Sequence, residues 1–231
     1  MITRALLSAL MGSTLIALSG CTLAPAPRSI EQPAPTPSAT QPKPTSQPVA
    51  FVFREALMPK DFPPPGPVGE VIVKTYPAYR LARVESGANQ NAGQDTMFMS
   101  LFRHIQKNEI EMTAPVEMTY PAAAIQVAKP DAKPQAMAFL YGDAKLGKPG
   151  AEGAVVVEDQ APMKVLSVGM RGGYNPPPME EGMKLIRQYL AANSGKFEIA
   201  GPPRFLGYNS PFVPPFLQFG EVQVPVKARP Q

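Results

Sequence analysis

The sequence predicts an α+β domain built from two halves with one plan, each running strand, strand, helix, strand, strand. Three observations predict it. First, residues 70–84 and 154–168 align without a gap at an offset of 84, with Val71-Ile72-Val73 on Val155-Val156-Val157 and Tyr79-Arg80-Leu81 on Met163-Lys164-Val165. Second, each half carries one amphipathic helical stripe. The same offset runs through both, placing Leu101, Phe102 and Ile105 on Leu185, Ile186 and Tyr189. Third, apolar alternation resumes after each helix. There the register slips by twelve, an insertion around residues 194–203, and Thr113-Ala114-Pro115-Val116 falls on Asn209-Ser210-Pro211-Phe212. Neither half can bury both faces of its own sheet, so the two halves join in one core with two helices on it.

The chain begins with one charge, Arg4, and the apolar run Ala5–Ala17. That run is short for a bilayer span and has the layout of a secretory signal. It ends in Leu18-Ser19-Gly20-Cys21, which is similar to a bacterial lipobox. In such signals the peptide is cut before the cysteine, whose thiol carries diacylglycerol. Residues 1–20 are therefore expected to be a lipoprotein signal and Cys21 the lipidation site. Thr22 in place of Asp implies, by resemblance to proteobacterial sorting, an outer-membrane anchor facing the periplasm. Cys21 is the single cysteine, which excludes an intrachain disulfide and a cysteine-rich metal site.

Residues 21–49 are rich in Pro, Ala, Thr, Ser and Gln and poor in large apolar groups. Such a segment buries too little to offset the entropy of ordering, and its prolines make it an extended tether. Residues 50–67 read as a docked or irregular segment, broken by Phe62-Pro63-Pro64-Pro65-Gly66-Pro67. The folded domain is placed at 68–226, with 227–231 as a tail. Its expected elements are strands at Val71–Tyr76 and Tyr79–Glu85, a helix at Thr96–Lys107, and strands at Ile110–Tyr120 and Gln135–Tyr141. The second half supplies Ala154–Glu158, Met163–Met170, a helix at Pro178–Asn193, Arg204–Tyr208 and Gly220–Val226. Asp95 or Thr96 is the expected cap of the first helix and Asn108 its end. Prolines 176–178 precede the second helix, where a helix tolerates them best, and Glu180 and Glu181 suit the positive end of its dipole.

Two motifs stand out. One is Phe98-x-x-Leu101-Phe102-x-x-Ile105, followed by Asn108 and then Met112-Thr113-Ala114-Pro115-Val116. The other is Tyr208-Asn209-Ser210-Pro211-Phe212-x-Pro214-Pro215-Phe216-Leu217, with Glu221-Val222 soon after. Together with Tyr76-Pro77-Ala78-Tyr79, they resemble the SOUL/haem-binding protein family over roughly residues 68–226. The resemblance implies a distorted antiparallel barrel of two βαββ units related by a pseudo-twofold axis, of the SOUL and GyrI-like effector-binding type. It also implies an apolar cleft that binds haem or another tetrapyrrole, in some members without an axial ligand.

A formal charge of +4, with no run of Lys and Arg interleaved with aromatics, gives no support to nucleic-acid binding. The expected partners are a tetrapyrrole or other apolar small molecule and, through the anchor, a membrane. Twelve methionines suit core packing or a groove for flat apolar ligands. Met97, Phe98, Leu101, Phe102, Arg103, His104 and Met112 are the candidate ligand-binding residues. His104, the single histidine, reads as a partly exposed flank residue of its helix or as a weak axial haem ligand. The resemblance puts an aromatic residue at its position, so no family ligand carries over. One histidine excludes a multi-histidine metal site. Haem propionates would want cations at the rim, for which Arg80, Arg83, Arg103, Lys107 and Arg171 are available.

No catalytic residues are assigned. An enzyme on this scaffold, the alternative reading, needs a tyrosine and a carboxylate facing each other in the cleft. Tyr79, Tyr120 or Tyr208 would pair with Glu111 or Glu221. Glu109 and Glu111 would share one face of a strand and Glu117 is a further acid–base candidate. A second alternative is an envelope interaction protein with no small ligand. The loop Phe212–Phe216 would lid the cleft or pack on the barrel.

Overall fold

The computed structural model describes residues 54–88, 93–126, 133–173 and 178–229. Cys21, the signal and the tether lie outside the described residues, as do Pro176 and Pro177. Residues from Ser46 to Gln231 form a compact unit of their own.

The first half gives β1 (Val71–Tyr76), β2 (Tyr79–Glu85), α1 (Gln94–Lys107), β3 (Val116–Thr119) and β4 (Ala136–Leu140). The second gives β5 (Gly150–Glu152), β6 (Val155–Gln160), β7 (Met163–Arg171), α2 (Met179–Ala192), β8 (Phe197–Ile199), β9 (Arg204–Gly207) and β10 (Phe219–Ala228). All ladders between these strands are antiparallel, in the order β1-β7-β10-β9-β3-β4-β2-β6-β5, with β8 on the end of β10. The order ends at β1 on one side and β5 on the other, so the expected barrel is an open sheet in its hydrogen bonding.

Both helices lie over one face of this sheet. The Met97, Leu101 and Ile105 side of α1 packs with Ala82, Val84, Val116, Met118, Met137 and Phe139. The α2 side, Met179, Met183 and Ile186, packs in the same core with Leu166, Val168, Val222 and Val224. Gly182 lets α2 come close, because a Cβ there would stand 2.5 Å from Val222 Cγ2. The alternate residues of the same strands form a second buried layer on the far face, with Tyr76, Tyr79, Leu81, Ala138, Leu140, Val165, Leu206, Tyr208 and Phe219. With both faces covered, β4 and β9 are buried along their whole length, and β4 reads as an unbroken apolar run.

Residues 54–68 cover part of that far layer. Leu57 makes a parallel bridge to Thr113 and Val68 one to Gly169. Lys60 N–H donates to Gly142 O at 2.9 Å, and Phe62 stacks edge-on against Tyr76 and Tyr79 at 5.0 and 5.1 Å. The docked segment foreseen before the domain is therefore part of its wall.

Several expected boundaries move. Ile110–Pro115 is not strand. Ala114 N–H is spent on Leu57 O and Pro115 has no N–H, so the ladder begins at Val116. The Thr113–Val116 and Asn209–Phe212 equivalence fails in position, since the first leads into β3 and the second follows β9. Helix α1 starts at Gln94 with Gly93 as N-cap and no side-chain cap bond, so neither Asp95 nor Thr96 caps it. Asn108 does end it, its side-chain amide donating to His104 O at 2.9 Å. β5 and β8 fall where loops were expected, each too short to show a period, and β10 runs two residues past the expected domain end at 226.

Candidate functional site

A cavity of about 580 Å³ opens beside α1. Its walls come from α1 (Phe98, Phe102), the turn into β3 (Met112, Thr113, Ala114, Val116), Met137 of β4, the docked segment (Ala56, Leu57) and residues 207–211 after β9. The volume is in the range of small-molecule sites and most of the lining is apolar. The α1 stripe is split by this arrangement. Met97, Leu101 and Ile105 go to the core, while Phe98 and Phe102 stay half-buried and stack on each other at 6.1 Å with 13° between their planes. Phe98 is held from behind by Phe139, edge-on at 5.1 Å. Thr113 Oγ1 donates to Leu140 O and Asn209 Oδ1 accepts from Phe219 N–H at 2.9 Å, which fixes the two polypeptide turns that frame the opening.

Of the candidate ligand-binding residues, Phe98, Phe102 and Met112 line the cavity. Met97 and Leu101 lie in the core behind it, and Arg103 is exposed outside the lining. His104 is not a partly exposed flank residue. It is 7 % exposed, with Nε2 2.9 Å from the Tyr141 hydroxyl and Nδ1 2.8 Å from Glu152 Oε2, and it lies outside the lining. The β5–β6 hairpin brings Glu152 over this end of α1, where Lys107 also bonds it, so tertiary contact buries what helical phase left at an edge. Lys107, then Asn108, hold the Glu152 carboxyl down at about 2.

None of the foreseen rim cations reaches the cavity. Arg80 pairs with Asp159, Arg83 with Glu158 and Lys107 with Glu152, and Arg171 lies over the Phe219 ring. Among the described residues the charged ones in the lining are Glu55, Asp95 and Glu111, with no Lys, Arg or His. Sequence reasoning missed Glu55, Asp95, Asn209 and Ser210. The signal was present, since the Met112–Val116 and Tyr208–Pro211 motifs that carried the family resemblance meet across this opening. Glu109 does not share a strand face with Glu111, because Glu109 has φ of 55° in a turn. Phe212 and Phe216 neither lid the opening nor pack on the sheet, being 92 % and 74 % exposed.

Of the candidate tyrosine–carboxylate pairs, Tyr208 with Glu221 forms, in the buried layer of the far face. Glu221, 0 % exposed, accepts from Lys74 Nζ at 2.8 and 3.0 Å, Tyr208 OH at 3.0 Å, Gln223 Nε2 at 2.9 Å and Gly66 N–H. Gln223 passes the network on to Tyr76 OH and Ser167, and accepts from Arg204 Nε at 3.0 Å. Arg204 Nη1 donates to Glu117 and to Tyr79 OH, both at 2.8 Å. Burial holds the Lys74 ammonium below its ordinary pKa against the pull of Glu221. It pushes the Tyr79 hydroxyl up to about 12 and raises the Tyr76 and Tyr208 hydroxyls well above the ordinary tyrosine value. A wall of Tyr208 lines the cavity while its hydroxyl is turned to Glu221. Tyr120 is buried on the helix side, away from Glu111 and Glu221.

The chain is thus an antiparallel α+β sheet with two helices on one face and an apolar cavity beside the first helix. The SOUL heme-binding protein family matches residues 68–225, and the chain belongs to that family. No curated protein sequence matches it. Among solved structures it is similar to a hydrolase from Listeria innocua, at 8 % identity with a TM-score of 0.50, over 70 % of this chain and 93 % of that one. It is also similar to EcmrR in a DNA complex, at 13 % identity and a TM-score of 0.49, covering 68 % of this chain and 57 % of EcmrR. The EcmrR C-terminal domain alone gives 13 % identity, a TM-score of 0.47 and 97 % coverage of that domain. At these identities the likeness is one of fold.

Tested against haem, the cavity fits in part. Phe98, Phe102, Met112 and Val116 suit a flat apolar body. The rim does not suit two propionates, because carboxylates stand where cations are needed.

Proposed function

We propose that this protein is a binding module that takes a flat apolar small molecule into the α1 cavity, for carriage, buffering or sensing. The observation that carries the reading is the half-exposed Phe98–Phe102 pair, two large aromatics kept out of an otherwise close-packed core and turned to a cavity of about 580 Å³. Family membership supports ligand binding. Binding is favoured over catalysis because the Tyr208 hydroxyl is committed to buried Glu221, and the cavity carboxylates face no tyrosine hydroxyl among the described residues.

The reading extends to the whole chain. The Leu18-Ser19-Gly20-Cys21 sequence supports a lipid anchor at Cys21, and the proline-rich stretch after it supports a tether that holds the domain off a bacterial envelope membrane. Labelling with a palmitate analogue in cells should mark the protein and be lost in Cys21→Ala. Duplication of a βαββ unit is supported by register. β1 pairs β7 with Val71 on Val168 and Tyr76 on Met163. Shifting each residue by 84 into the other half turns these into Val155 on Val84 and Gln160 on Tyr79, the register of β6 on β2.

The test uses the compact fragment 46–231 and a neutral flat fluorophore, 1-pyrenemethanol, with haem titrated in parallel. Saturable one-to-one binding of the neutral probe, weakened about tenfold by Phe98→Ala through loss of a ring wall, is the expected result. Binding indifferent to Phe98→Ala would remove the cavity from consideration.

A further inference from the structure

The apolar walls make the cavity a site, and its rim decides which charge the site accepts. Among the described residues Glu55, Asp95 and Glu111 are in the lining, and no cationic side chain is. Glu55 accepts from Ser210 N–H and Oγ, both at 2.7 Å, which are neutral donors and leave its charge standing. Among the described residues Asp95 and Glu111 take part in no ion pair. The positive contribution is the N-terminal end of α1, about half an elementary charge, already faced by Asp95 in its first turn. Three carboxylates outweigh it. Several carboxylates elsewhere in the domain, the two buried ones among them, are matched by cations. Glu117 meets Arg204, Glu221 meets Lys74, Glu158 meets Arg83 and Asp159 meets Arg80.

We propose that the cavity selects a flat apolar molecule bearing a positive charge, an aromatic amine or quaternary ammonium, over a carboxylate-bearing tetrapyrrole. The inference rests on the reading of the cavity as a ligand site and adds the charge of the ligand. The apolar body lies against Phe98 and Phe102, whose ring faces also attract a cation. The charged group stays at the mouth, near Glu111 and Asp95, where it keeps part of its hydration. An acid in that place meets like charge on all sides and leaves its own hydration without compensation. Since the carboxylates are exposed, the selectivity is electrostatic and screenable, falling within a Debye length of about 8 Å at physiological salt.

Three probes with one ring system separate charge from shape: 1-pyrenemethylammonium, 1-pyrenemethanol and 1-pyrenecarboxylate, titrated into fragment 46–231. The cation should bind about tenfold tighter than the alcohol, and the alcohol tighter than the acid, with the spread shrinking in about 0.5 M NaCl. Glu111→Gln and Asp95→Asn should each narrow the cation-to-alcohol ratio about threefold, and both together more. Haem should rank with the acid. An acid that binds as tightly as the ammonium, or a ratio unmoved by both substitutions, overturns the charge inference while the ligand site stands. If none of the three binds, the functional reading and this inference fall together.

Discussion

The far layer of the sheet and the cavity beside α1 both hold carboxylates, and they treat them in opposite ways. In the far layer Glu117 and Glu221 are buried, and each has a cation and further donors within hydrogen-bond distance. In the cavity Glu55, Asp95 and Glu111 are exposed, and among the described residues no cationic side chain shares the lining. A buried charge has to be matched inside the fold, because taking it out of water costs several kcal/mol. A charge at a cavity mouth is matched by solvent and remains free to meet a ligand. The proposed site is the less finished of the two regions, although the far layer holds more of the groups that look like chemistry.

Breaking the buried match should give the largest effect. Lys74→Met leaves Glu221 buried beside neutral donors alone and should cost about 3–5 kcal/mol in urea unfolding, most of it recovered in Lys74→Met/Glu221→Met. A cost below about 1 kcal/mol would mean the far layer is wetter and looser than its geometry. Phe62→Ala removes the ring that closes over Tyr76 and Tyr79. It should cost about 2 kcal/mol, less than a full core truncation since Phe62 is half-buried.

His104→Ala sharpens the contrast from the other side. It should lower stability by about 1–3 kcal/mol through loss of the Tyr141 and Glu152 contacts, with no change in pyrene affinity. A loss of affinity would bring His104 back as a ligand.

The pH response is the gentlest probe. A tyrosine whose folded pKa exceeds its unfolded value adds stability that is whole below pH 10 and is lost as pH rises through the folded value, about 12 for Tyr79. Tyr76 and Tyr208 act in the same direction. Lys74, held low by burial, acts in the opposite sense, and its influence ends at the ordinary lysine value of 10.5. Unfolding midpoints should therefore fall between pH 10.5 and 12, together with phenolate absorbance. Tyrosines titrating near 10 in the native state would show that the layer is open to water.

Much of the fold was legible because it is periodic. The α1 stripe, the α2 stripe and the strands Val71–Tyr76 and Tyr79–Glu85 stand where alternation and helical phase put them. Errors fell where a tertiary partner overrode local pattern. Leu57 took the hydrogen bond that would have extended β3 to Ile110, and the β5 hairpin brought Glu152 over His104. Within the site, helical phase identified Phe98 and Phe102 as apolar, but it had no means of separating them from Met97 and Leu101. What separates them is the cavity, which exists because residues 56, 57 and 208–211 close on α1 from opposite ends of the domain.

By itself, then, the sequence determined most of the secondary structure, the family and an aromatic face, since these are carried by local patterns of residues. The tertiary structure alone decided which charges are matched. Lys74 meets Glu221 across 147 residues and Arg204 meets Glu117 across 87, while Glu55, Asp95 and Glu111 come together in a lining that, among the described residues, holds no cationic side chain. Electrostatic environment depends on distance in space, and spacing along the chain carries little of it.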